Sequence, residues 1–238
     1  MAINELSIPS YAVALAPSDA RSAFIRRTYL HLALAVAAFA GLELLFFGPL
    51  AETTESLVYS MVGGYSWLIV LGLFMVVGYV ADRWARSDLS VGLQYLGLAV
   101  YVVAEAVLFL PLLYIAAHFT SPDVLPTAIW LTLALFVGLT ATVFITRKDF
   151  SFLRTILTVG GFVALGIIVV AILFGFDLGV LFSAAMIALA AGYILYYTSA
   201  VMKHYRPDQH VAASLALFAA VALMFWYVLR LLMILNRR

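Results

Sequence analysis

The sequence predicts an all-α, polytopic membrane protein, a single bundle of seven transmembrane helices. Three observations carry this. Hydrophobic residues make up 66% of the 238 and charged residues only 11%, whereas a soluble chain is about half apolar and about a quarter charged. Apolar runs of about 20 residues recur from residue 24 onward, each long enough to cross a hydrocarbon core of roughly 30 Å as a helix. Lys and Arg gather in every second connection, as expected where alternate loops face the cytoplasm.

The seven spans fall at about 24–47, 65–82, 92–117, 127–146, 152–174, 179–202 and 210–234. Residues 1–23 read as a cytoplasmic N-terminal segment without the apolar stretch of a cleavable signal, and 24–238 as the transmembrane domain. Connections are short except 48–64, an acidic, glycine-rich loop. Arg21, Arg26 and Arg27 precede the first span. Arg83 and Arg86 follow the second, Arg147, Lys148 and Arg154 surround the turn after the fourth, and Lys203 and Arg206 follow the sixth. The other connections carry Glu52, Glu55, Asp123 and Asp177 instead. The N-terminus is therefore expected in the cytoplasm. The basic tail, Asn236 to Arg238, leaves two options for the last segment, a full span or a re-entrant one. A full span is expected.

Small residues recur at fourfold spacing as Ala184, Ala188 and Gly192, and again as Ala212, Ala216 and Ala220. Such stripes let helix backbones approach closely in lipid. The last two spans are therefore expected inside the bundle.

Ionisable groups at bilayer depth are costly, so each requires an account. Glu105 lies near the centre of the third span, Glu43 in the outer part of the first and Arg230 in the last. His31 lies in the inner part of the first span and reads as a helix–helix hydrogen-bonding group. Glu105 is too deep for its short side chain to reach water. Arg230 is its expected cationic partner, with Glu43 competing for the same arginine.

Other classes are excluded. The net charge of +1 points to no nucleic acid. There is no cysteine for disulfides, thiolate metal sites or thiol catalysis. The two lysines, Lys148 and Lys203, sit at loops, so no span offers a retinal Schiff base. His118, His204 and His210 lie at span edges, which leaves His31 without a partner for a bis-histidine haem. Neither GxSxG nor HExxH occurs. Neither enzymatic activity nor a cofactor is expected.

The stretch VGLTATVFITRKDFSFL is similar to the fourth span and following turn of the Bax inhibitor-1 proteins, the transmembrane Bax-inhibitor-motif family. Phe136, Gly138, Leu139, Thr140, Thr146, Lys148, Asp149, Phe150, Ser151 and Leu153 match. AGYILYYTSAVMKHY in the sixth span resembles the family's AGYILYDT run, and the resemblance extends over about residues 20–234. Read alone, the turn is a tight hairpin in which Asp149 and Ser151 are placed to cap the fifth span. The resemblance implies seven helices around a central last one, a pH-sensitive calcium leak, and two aspartates that share a proton or a hydrogen bond. Here Tyr197 stands at the first aspartate and Ala220 at the second. A phenol facing a small residue keeps core volume roughly constant, but with a reference pKa near 10 it does not titrate between about pH 5 and 8. Tyr193, one turn away, lies on the same face. Two functions are therefore expected in competition. One is a calcium or proton leak in which Glu105, Glu43 and Arg230 replace the lost acids. The other is a non-conducting protein that acts on other membrane proteins, for example in membrane quality control. Eleven arginines against two lysines suggest a bacterial inner membrane.

Overall fold

The computed structural model describes residues 12–63, 65–88 and 90–236. Eight α-helices follow a short 3₁₀ turn at Val13–Leu15: α1 (Ser18–Phe47), α2 (Ala51–Val62), α3 (Ser66–Ala85), α4 (Val91–Phe119), α5 (Val124–Thr146), α6 (Leu153–Phe174), α7 (Val180–Lys203) and α8 (His210–Asn236). All but α2 are long and apolar enough to cross a membrane. In hydrocarbon only a helix satisfies its own backbone, so apolar runs of this length fold this way.

Helix ends follow local chemistry. The Ser90 hydroxyl accepts from the Leu93 N–H and caps α4. Gly175, at φ 70°, ends α6 in the left-handed region. Arg147 ends α5 at φ 52° without being a glycine, a conformation disfavoured by its Cβ. The turn of the family-like motif therefore starts from a strained residue.

The connection 48–64 is not a loop. Most of it is α2, which buries Thr54, Val58 and Met61. These positions recur at helical spacing, and the Thr54 hydroxyl ties the helix back to the Phe46 carbonyl at 2.8 Å. α8 is one unbroken helix, so a re-entrant last segment is excluded for residues 210–236. Arg237 and Arg238 lie outside the described residues.

α8 is the central helix. It packs against α7, α1, α5, α4 and α3, and its first turns, Val211 to Phe218, are buried without a break. Ala212, Ala216 and Ala220 lie in this enclosed part, as their spacing predicts. On α7 the stripe is displaced. Ala184 and Ala188 are exposed, and the buried face runs through Ser183, Met186, Ala190, Ile194 and Thr198. Gly192 faces α6, where a Cβ would lie 2.7 Å from Leu157.

α3 and α4 approach closely at Gly97. A Cβ on Gly97 would lie 2.5 Å from the Ala81 carbonyl oxygen and 2.7 Å from the Ala85 nitrogen. Backbone cannot swing aside as a side chain does. Gly97→Ala is therefore expected to destabilise the bundle by about 1–3 kcal/mol, the usual cost of overpacking. A lowered thermal midpoint in detergent micelles is the readout, and an unchanged midpoint contradicts this packing.

Candidate functional site

Two cavities lie along one side of α7. The first, about 420 Å³, is a vestibule lined by Arg86, Arg154, Thr158, His204 and Gln209. It sits at the end of the bundle that carries the basic connections, called here the basic end. The second, about 450 Å³, is an apolar chamber among α3, α4, α6, α7 and α8. Tyr193 and Tyr197 line both cavities. Their rings stack, with centroids 5.9 Å apart and planes 15° off parallel, and Tyr196 leans on Tyr197 at 5.1 Å. The Tyr193 hydroxyl donates to the Leu157 carbonyl on α6 at 2.9 Å. The tyrosine pair thus forms the partition between a polar vestibule and an apolar chamber.

Glu105 belongs to the chamber, where Tyr197, Tyr193, Ala220 and Arg230 also appear. Its residue exposure is 5%. The Tyr101 hydroxyl, one turn earlier on α4, is its polar neighbour. Tyr197 and Ala220 both line this chamber.

The expected Glu105–Arg230 pair does not form. α4 and α8 run side by side, with Tyr101 against Phe218 and Phe109 against Phe225. Glu105 is therefore level with Val221, and Arg230 lies nine residues further along, about 13 Å at 1.5 Å per residue. The Arg230 guanidinium donates to the Leu178 carbonyl at 2.7 Å instead. Among the described residues, no ion pair includes Glu105, Glu43 or Arg230. Glu43 is on the buried face of α1, and neither carboxyl oxygen has a hydrogen-bond partner among the described residues. Leu178 lies in the connection between α6 and α7, and its carbonyl is the acceptor that the packing brings within reach.

His31 is a helix–helix hydrogen-bonding group, as expected, but it is not alone. Its Nδ1 lies 2.7 Å from the Arg27 carbonyl and its Nε2 2.8 Å from the Tyr95 hydroxyl. His210 Nε2 lies 3.4 Å from the same hydroxyl, and the two imidazoles are 5.0 Å apart. The carbonyl can only accept, so Nδ1 of His31 carries a proton. The sequence places His210 at a span edge, and only the packing of α8 beside α1 brings it to His31.

The turn of the motif is fastened to α7. The Ser199 hydroxyl accepts from the Phe150 N–H at 3.0 Å. Asp149 accepts from the Ser151 N–H at 2.9 Å and meets His204 at 3.1 Å and Lys203 at 3.9 Å. Thr146 donates to the Thr142 carbonyl. The expected cap of the following helix is not made, because α6 begins at Leu153 and its N-cap, Phe152, supplies no side-chain acceptor. Asp149 closes the turn and holds α7 rather than capping α6. Two motif threonines, Thr140 and Thr198, lie near the Tyr29 hydroxyl of α1, but none of the three hydroxyls makes a hydrogen bond among the described residues.

No group of three or more acidic or histidine side chains suited to a metal ion occurs among the described residues. With this geometry in place, the comparisons are direct. The family model described as "Inhibitor of apoptosis-promoting Bax1" matches residues 21–237. The chain belongs to the Bax inhibitor-1 family. It is also similar to uncharacterized protein PA2604 of Pseudomonas aeruginosa, 28% identical over 214 residues that cover 88% of each chain.

Burial opposes the charge on Asp149, but the Ser151 N–H and hydroxyl and the His204 ring together outweigh it and hold the carboxyl below its usual range. A depressed folded-state pKa stabilises the fold above the unfolded value, near 3.9, and this contribution is lost as pH falls through the folded value. Asp149→Asn is therefore expected to melt earlier than the native chain at neutral pH. The gap in thermal midpoint should narrow from about pH 5 downward. A gap independent of pH contradicts the assignment.

Proposed function

We propose that this protein is a slow proton leak of the Bax inhibitor-1 family, restricted by the tyrosine pair, with Glu105 as the group that carries the proton. One observation supports this most directly. A single carboxyl group faces a chamber that shares Tyr193 and Tyr197 with a vestibule at the basic end. A proton needs only a chain of hydroxyls, carboxyls and water. Calcium needs six to eight oxygen ligands, and the chamber holds one carboxylate among apolar side chains. Arg86 and Arg154 at the vestibule further repel a divalent cation. Of the two ions the family resemblance brings forward, the proton fits these residues better. The basic end faces the cytoplasm on this proposal, by the rule that short basic connections stay inside, and the membrane is a bacterial inner membrane.

A second function is favoured by the tyrosines themselves. Two stacked phenols, one fixed to the α6 backbone, fill the passage. A permanently filled passage suits a non-conducting protein that regulates other membrane proteins.

Proteoliposomes with a trapped pH indicator separate the two. The native protein should dissipate an imposed pH gradient faster than empty vesicles. Glu105→Gln should slow the leak about tenfold, at the lower end of what one positioned proton-transfer group contributes. Trapped calcium dye should show no flux. A native rate equal to that of empty vesicles rejects the leak and leaves the regulatory function.

A further inference from the structure

α3 and α6 stand on either side of the two cavities without packing on each other. α3 is held by α4, α2 and α8, while α6 is held by α7. The space between them is a groove along the flank of the bundle, floored by α7 and α8. Its walls are apolar, with Leu71, Phe74 and Met75 on α3 and Ala164, Leu165 and Ile168 on α6. At the far end it is closed by Trp67 of α3 stacked on Trp226 of α8, with centroids 6.1 Å apart. From Trp67 to Arg86 the groove spans 19 residues of helix, about 28 Å. Half of that is the depth of one leaflet in a core of roughly 30 Å.

The end near the vestibule is cationic. Arg86 holds Asp82 through Nε at 2.8 Å, and His204 is engaged with Asp149. Arg154, in the first turn of α6, has no acidic partner among the described residues. The Thr158 side chain, one turn further along, lines the same vestibule. The Thr158 hydroxyl donates to the Arg154 carbonyl at 2.8 Å, so it is the unpaired guanidinium that is left to meet a phosphate oxygen. A cationic mouth above an apolar channel long enough to take an acyl chain in its nearer half matches one kind of molecule on both counts.

We propose that the groove between α3 and α6 is a binding site for an anionic phospholipid. Its phosphate sits at Arg154, its glycerol lies against the tyrosine pair, and one acyl chain runs down the chamber wall. The site does not require conduction. It follows from charge and shape alone.

The test is native mass spectrometry of the full chain released from detergent, with phosphatidylglycerol or phosphatidylcholine of identical chains added. The native protein should retain phosphatidylglycerol in clear preference. Arg154→Gln should weaken that retention about tenfold, the size of one charge-assisted hydrogen bond. Leu165→Trp, which fills the groove midway, should weaken it while leaving Arg154 in place. Inorganic phosphate in millimolar excess should not displace the lipid. Equal retention of the two lipids by the native protein overturns the proposal, and this comparison stands even if a variant fails to fold. Unchanged retention in a folded Arg154→Gln removes the headgroup site. Displacement by phosphate, with Leu165→Trp unaffected, reduces the site to a simple anion pocket and rejects the lipid.

Discussion

The packing of neighbours around α8 is the contact on which the rest of the bundle depends. A helix can be enclosed on all sides in a membrane only if its side chains let other backbones come close, because lipid offers no hydrophobic drive to press helices together. The first half of α8 meets that condition with Ala212, Ala213, Ala216 and Ala220. The enclosed surface is then finished by larger groups, Leu217, Phe218 and Met224, that lock between α1, α4 and α7. The Ser214 hydroxyl donates to the Thr28 carbonyl of α1 at 2.9 Å and so fixes the level of the two helices. Because α8 sets the position of α4 and α7, it also sets where Glu105 and the tyrosines stand. The chamber is the space left where that packing stops.

The polar groups divide into two sets. Those at the basic end answer one another. Asp149 answers His204 and Lys203, Arg206 answers Asp88 and Asp208, and His31 and His210 share Tyr95. Those deeper in the bundle do not. Glu43 has no partner among the described residues, and Glu105 has a phenol. A charge without a counter-charge in a low-dielectric interior is expensive, so an acid retained there is the natural place to look for proton chemistry. The two sets are separated by Tyr193 and Tyr197, which line both cavities.

Much of this architecture is legible in the sequence. Uninterrupted apolar length marks a span regardless of tertiary context, so seven spans emerge within a few residues of their ends. The basic connections are similarly local. What is hidden depends on contacts between distant segments. α2 escapes because acidic and glycine residues suggest a loop, although Thr54, Val58 and Met61 already carry helical spacing. The small-residue stripe of α7 misleads because Ala184 and Ala188 are as acceptable to lipid as to a neighbouring helix. The relation between Tyr197 and Ala220 is legible through the family motif, and both do face one chamber. The missed pairing of Arg230 is of another kind, since no spacing reveals that the connection between α6 and α7 brings the Leu178 carbonyl to it.

The helix at the centre of the bundle is also the last of the described helices. During synthesis α1, α4, α5 and α7 enter the bilayer before the surface they share exists. The faces that later meet α8, such as Leu32 and Ala35 on α1, spend that interval against lipid or against provisional neighbours. The Val13 N–H waits longer still, because its acceptor is the Tyr205 carbonyl in the turn just before α8. Assembly of this protein is therefore a closure from the far end of the chain, and contacts so distant in sequence form slowly. A ribosome stalled before residue 210 would leave six membrane-crossing helices around an unfilled axis, the state in which membrane quality control would first meet this chain.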